Sequence, residues 1–135
     1  MADRVAVALD VMDGFNERDL ERVLAHLHPD YEATWPHGHL TAPEAMAHEV
    51  ALLSAFPDVQ MVVQRASETD DGVLLEVRAV GTQTGEWTSP GGEHFPADGR
   101  SIDAAMALVM VFDGDRVRSE RLYFDQETLH ASLRS

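Results

Sequence analysis

"VQMVVQRASETDDGVLLEVRAVGTQT", residues 59–84, decides the architecture. From Val59 to Ala66 polar and apolar residues alternate, Asp70-Asp71-Gly72 has turn chemistry, and Val73 to Thr84 alternates back. A period of two sends successive side chains to opposite faces of a sheet, so the stretch predicts a long hairpin. A second hairpin is expected downstream, Arg100 to Phe112 and Arg116 to Phe124 about Asp113-Gly114. A tight turn there would set Phe112 near Asp115 and Ala104 opposite Tyr123. Between the hairpins, Glu86 to Gly99 is broken by glycine and proline around Trp87, His94 and Phe95, which reads as a long loop of the kind that often forms a lid.

Upstream the period changes to that of helices. Asp3 can cap a helix carrying Val5, Leu9 and Met12, and Asp19 opens a second with Leu20, Val23, Leu24 and Leu27. Tyr31 to Trp35 alternates as a short strand. Thr41-Ala42-Pro43-Glu44 forms a capping box for a third helix, with Met46, Val50 and Leu53 expected inward. A short helix, Gln126 to Leu133, closes the chain. Helices followed by a meander of antiparallel strands make an α+β layout, one domain over residues 1–135. The expected form is a curved antiparallel sheet, cone-shaped, with helices packed on its concave side around a pocket.

The chain has 135 residues, no cysteine and a formal net charge of −14. Thiolate metal sites and cysteine nucleophiles are excluded, and so acidic a surface repels phosphate backbones and anionic bilayers, so neither nucleic acid nor membrane is an expected partner. Met1-Ala2-Asp3-Arg4 lacks a leader pattern, and no apolar run approaches the roughly 20 residues needed to cross a bilayer. A cytoplasmic protein is expected.

Asp125 follows a β-type stretch and precedes a helix. It is either the cap of that helix or a proton-handling group whose pKa a pocket would raise. Asp103, in a strand, is a second acid/base candidate or an exposed strand residue. Trp35, His37 and His39 share one face if the strand continues past Pro36, where an imidazole would hold a carbonyl or shuttle a proton. His48 either points into the cone or faces solvent. Glu76 and Arg78 are a charged strand face or a buried pair beside Asp125. Arg121 and Tyr123 lead to Asp125 at alternate positions. Trp87, with Phe95, is a lid or a core anchor, and Met106 lies in a small-residue stretch facing the expected pocket. His-x-His has no accompanying third ligand, so no metal is expected.

In order along the chain, "HPDYEATW", "APEAMAHEVALLSAFPDVQMVV", "GTQTGEW", "PADGRSI" and "VFDGDRVRSERLYFDQETL" resemble the SnoaL-like polyketide cyclases of the nuclear transport factor 2-like superfamily. The resemblance implies a cone-shaped α+β barrel, a homodimer, a deep apolar pocket for a hydrophobic small molecule, and acid–base chemistry without cofactor. It also implies that Asp125 is the general acid/base of an intramolecular aldol closure. Tyr123-Phe124-Asp125 further resembles the ending of limonene epoxide hydrolases, but if Arg78 matches their catalytic arginine, Val80 stands where their second aspartate would be. Three functions follow as expectations: a cyclase or isomerase, an epoxide-opening enzyme, or a non-catalytic dimeric binder.

Overall fold

A computed structural model describes residues 3–134; Met1-Ala2, part of the start examined for a leader pattern, and Ser135 lie outside it. Helix α1, Arg4–Asn16, begins where the Asp3 carboxylate accepts hydrogen bonds from Val5 N at 3.0 Å and Ala6 N at 3.3 Å. Its buried side includes Ala8, Val11, Met12 and Phe15. Helix α2, Leu20–Ala25, is capped in the same way by Asp19. Arg22 ties the two helices by bonding Asp10 of α1, and His26 Nε2 lies 2.7 Å from the other oxygen of that aspartate.

Strand β1, Leu27–Trp35, turns through Pro36-His37 into β2, Gly38–Thr41. Helix α3, Ala42–Ala55, follows, with the Glu44 carboxylate accepting from Thr41 N and Thr41 Oγ1 at 3.0 and 2.8 Å. The expected hairpin is β3, Gln60–Thr69, with β4, Gly72–Thr82. A small ribbon of β5, Trp87–Thr88, and β6, His94–Phe95, lies within the stretch expected to be irregular. The second hairpin is β7, Ser101–Asp113, with β8, Arg116–Tyr123, and α4, Gln126–Leu133, ends the described chain.

The sheet has six strands in the order β2-β1-β8-β7-β4-β3 and does not close, so β2 and β3 are its edges. It is mixed rather than antiparallel throughout, because β1 runs parallel to β8, with Ala33 beside Glu120. The chain leaves β1 and β2 through α3 and lays down two hairpins before returning, and the return brings β8 back in the direction of β1. Val73, Leu75, Val77 and Ala79 of β4 face the helices, each at most 3 % exposed, and pack with Leu108 and Met110 of β7. Two local readings change. Leu27 belongs to β1 and not to the α2 stripe, with Pro29 in an irregular stretch of β1 where the register shifts. The turn is Gly114-Asp115 with Asp113 opposite Arg116, so Phe112 pairs with Val117, and a bulge between Val111 and Phe112 shifts the β7–β8 register by one more residue, which sets Tyr123 opposite Ala107 instead of Ala104.

The Gln83–Arg100 segment is fixed by packing. Gln83 is fully buried and its Nε2 donates to Gly85 O at 3.1 Å and Phe95 O at 2.9 Å. Trp87 stacks on Phe95 with ring centroids 5.6 Å apart, and His130 of α4 lies 5.0 Å from the same phenyl ring. Arg134 reaches back from the end of α4 to both oxygens of Glu93, at 2.9 and 2.8 Å. No helix of the described residues is long and apolar enough to cross a membrane.

Candidate active site

A cavity of about 150 Å³ lies between the inner sheet face and the helices. Its walls are mostly apolar, including Met12 and Phe15 of α1, Leu52 of α3, Met61 of β3, and Met106 and Leu108 of β7. Tyr31, Glu49 and Glu120 bring polar groups into this lining.

Each is there by the period of its element. Tyr31, Ala33 and Trp35 are the inward set of β1, and Glu120, Leu122 and Phe124 line the cavity from β8 and just beyond it. Glu49 follows Ala42, Ala45 and Met46 at helical spacing and precedes Leu52, so it stands in the apolar stripe of α3. The expectation of Val50 as an inward residue is corrected, since it is 50 % exposed.

Tyr31 Oη donates to Glu120 Oε2 at 3.2 Å. Burial pushes the Glu120 carboxyl up to about 7, against the opposing effect of the tyrosine's hydrogen bond. Burial, and then the charge of Glu120, pushes Glu49 up to about 8. The Tyr31 phenol is also pushed up, first by burial and then by the glutamates' charge, so it stays protonated as a donor. Two half-buried carboxyls, with pKa values raised toward neutral, share one mostly apolar cavity.

Trp35, His37 and His48 form a triangle of rings at one side, with centroids 6.3, 6.0 and 5.9 Å apart. His37 is exposed and His48 is half-buried. Burial, followed by the neighbouring His48, holds His37 below the usual imidazole range. The Trp35 Nε1–H is buried and meets no acceptor among the described residues. At another part of the wall stand Trp87, Gln126 and His130, the last only 5 % exposed.

The sequence-predicted residues therefore divide. His37, Trp35, His48, Trp87 and Met106 line the cavity. Asp125 does not. It is exposed and caps α4, its two oxygens accepting from Thr128 N at 3.1 Å and Thr128 Oγ1 at 2.7 Å. The Thr128 hydroxyl, and then the backbone amide, hold its pKa below the usual aspartate value. The reason is parity: Leu122 and Phe124 point in, so Tyr123, 55 % exposed, and Asp125 point out. Arg121 shares that outward parity.

Glu76 and Arg78 lie between the inward residues of β4, and Asp103 lies between Ile102 and Ala104, so all three are on the outer face. There Arg78 Nε donates to Asp103 Oδ1 at 2.8 Å. His39 does not share a face with His37, because the chain turns at Pro36-His37. On β2 it pairs with Thr34, and its Nε2 lies 3.3 Å from Glu32. Sequence reasoning missed Tyr31, Glu49, Glu120, Gln126 and His130. The first three fall on apolar periods that the sequence does display. Among the described residues no group of three or more histidine or acidic side chains is arranged to hold a metal ion.

Solved structures share this architecture. AclR from Streptomyces galilaeus, a candidate hydroxylase, is 22% identical with a TM-score of 0.85, the alignment covering 98% of this chain and 96% of that one. A candidate SnoaL-like polyketide cyclase from Jannaschia sp. CCS1 is 18% identical, with a TM-score of 0.82 and coverage of 96% and 90%. A nuclear transport factor 2-like protein from Burkholderia pseudomallei K96243 is 19% identical, with a TM-score of 0.79 and coverage of 100% of both chains. At these identities the likeness establishes the fold, an α+β structure of the nuclear transport factor 2-like type. No curated protein matches the chain. The SnoaL-like domain matches residues 8–120, most of the length, and the chain belongs to that family.

Proposed function

We propose that the protein is an acid–base enzyme, of the polyketide cyclase or isomerase type, acting through its own side chains on a hydrophobic, carbonyl-bearing small molecule. The observation that carries this reading is the pair of carboxyls, Glu49 and Glu120, in one apolar cavity with pKa values raised to about 8 and about 7. The Tyr31 hydrogen bond favours the ionised form of Glu120, which makes it the group that accepts a proton and leaves Glu49 as the group with one to give.

Glu120 takes a proton from the carbon beside the carbonyl, while Glu49 donates to the carbonyl oxygen as charge develops there. Tyr31 orients Glu120 by its hydrogen bond. The resulting enol carbon attacks a second carbonyl of the same molecule, whose oxygen takes the proton held by Glu120 while the enol hydroxyl returns its proton to Glu49, or in an isomerisation the molecule is reprotonated by Glu120 at another carbon as the enol proton returns to Glu49. Holding both ends of the substrate together makes ring closure an intramolecular event. Exclusion of water strengthens each donor acting on the developing enolate.

A volume of about 150 Å³ accommodates a single six-membered ring. Cyclohexanone is therefore a usable probe. Its α-hydrogens should exchange for deuterium in D2O with catalytic protein, with a rate maximum between about pH 7 and about pH 8. Glu120→Gln should reduce exchange by on the order of a hundredfold or more. Exchange unaffected by both Glu120→Gln and Glu49→Gln would return the protein to the class of binding modules.

Among the described residues no arginine lines the cavity, so epoxide opening by an arginine-held water draws no support from it. For a homodimer we propose the outer sheet face, where Val62 is 43 % and Tyr123 55 % exposed. Sedimentation should show a dimer that Tyr123→Glu weakens, and a monomeric wild type would exclude it.

A further inference from the structure

The cavity wall holds two polar side chains that the acid–base reading does not use. Gln126 and His130 stand four residues apart on α4, hence on one face of that helix, and both line the cavity. Among the described residues neither side chain makes a hydrogen bond; His130 Nδ1 comes no closer than 3.7 Å to the Glu93 carboxylate. The polar side-chain atoms there that are both sealed and unpartnered are Trp35 Nε1 and Gln83 Oε1. The Gln126 amide and the His130 nitrogens are unpartnered but not sealed, so they keep open surface. His130 is only 5 % exposed, and it lines the cavity with what remains.

Packing does not account for a histidine at this position. Its ring meets those of Trp87 and Phe95 at 6.1 and 5.0 Å, contacts that a phenylalanine would make without nitrogens to desolvate. We infer that Gln126 and His130 form a hydroxyl-binding subsite of the cavity, and that the ligand carries a hydroxyl group in addition to its carbonyl. The inference rests on the acid–base reading only for that carbonyl.

Glu93 sets the imidazole. Arg134 donates to both its oxygens at 2.9 and 2.8 Å and, by that bonding, holds its carboxyl below the usual glutamate value, so it stays a carboxylate. A negative charge 3.7 Å from Nδ1 favours the neutral tautomer that has its proton on that nitrogen, which makes the His130 Nε2 an acceptor. The Gln126 amide has N–H groups to give. A hydroxyl satisfies both at once, its O–H donating to the imidazole and its oxygen accepting from the amide. A ketone oxygen only accepts, and leaves the imidazole nitrogen bare.

Titration calorimetry near neutral pH tests this with cyclohexanone, cyclohexane-1,4-dione, 3-hydroxycyclohexanone and 4-hydroxycyclohexanone. One of the two hydroxyketones should bind wild type about tenfold more tightly than cyclohexanone, and the dione should not. Gln126→Leu and His130→Phe should each bring that ratio near one and leave the affinity for cyclohexanone within about twofold. His130→Gln, which keeps polar atoms at the end of the side chain, should retain part of the preference. His130→Phe preserves ring packing, so a merely structural histidine would leave the preference intact. If neither hydroxyketone is favoured over cyclohexanone, or if the preference survives both Gln126→Leu and His130→Phe, the subsite is overturned. Exchange of α-hydrogens in D2O is read separately. A wild type that prefers a hydroxyketone but exchanges nothing keeps the subsite and loses the acid–base reading, whereas exchange without the preference removes the subsite alone.

Discussion

Glu49 and Glu120 should make the protein less stable as the solution becomes alkaline, and Glu→Gln at either position should flatten that dependence. Burial raises Glu49 from the ordinary 4.5 to about 8 and Glu120 from 4.5 to about 7. Between about pH 4.5 and those values the folded state keeps protons that the unfolded state has released, so stability falls as pH rises and levels off above about 8. At about 1.4 kcal/mol per unit, the gap for Glu49 alone corresponds to about 5 kcal/mol. The two groups repel each other, so their costs do not simply add, and water entering the cavity lowers both. A total on the order of 3–5 kcal/mol is a large part of the roughly 5–15 kcal/mol that holds a domain together. At about 4 °C per kcal/mol for a chain of this length, the melting temperature should drop by about 10–20 °C between pH 5 and pH 9. The net charge of −14 adds its own repulsion, so the informative quantity is the difference in slope between wild type and variants. Scanning calorimetry from pH 5 to pH 9 measures it. Equal slopes in wild type, Glu49→Gln and Glu120→Gln would refute the claim that these carboxyls are buried and unpaired by any cation.

The remaining expectations concern residues outside the cavity. Asp125→Ala should leave cyclohexanone exchange unchanged while lowering the melting temperature modestly, because it removes a helix cap that does not line the cavity; a collapse of exchange with the helix intact by circular dichroism would make Asp125 part of the reacting site. Gly72→Ala should cost about 3 kcal/mol or more in urea unfolding, since a Cβ there would lie 1.8 Å from Met110 O, and a neutral result would mean that the β4–β7 contact is looser than described.

Most of the fold was legible because alternation and capping chemistry are local. The β3–β4 and β7–β8 hairpins, the Thr41 capping box and the helix starts at Asp3 and Asp19 all stand in the sequence and in the structure. The site was less legible, for reasons of phase. An apolar strand period marks an inward face, and a charged residue on it is easily set aside as an interruption. Glu120 alternates with Leu122 and Phe124, and Glu49 follows Ala42, Ala45 and Met46 at helical spacing, so both were visible as acids in apolar positions. Asp125, Arg78 and Asp103 drew attention by their chemistry, yet their parity sends them outward. The parallel pairing of β1 with β8 was out of reach because it joins segments far apart along the chain. The one-residue bulge at Val111 and Phe112 leaves no local trace either, and it altered which residues face each other near the end of β8.

The parallel pairing of β1 with β8 decides when the cavity is complete. The Tyr31–Glu120 hydrogen bond spans 89 positions of sequence, so a growing polypeptide has emitted three helices and five strands of the large sheet before its two halves can meet. Until the last strand arrives, β1 and β7 each present an unsatisfied edge, and the chamber lacks one of its acids. A chain stopped before β8 would thus lack the chamber and bare two sheet edges at once, and the same step completes the one and covers the others.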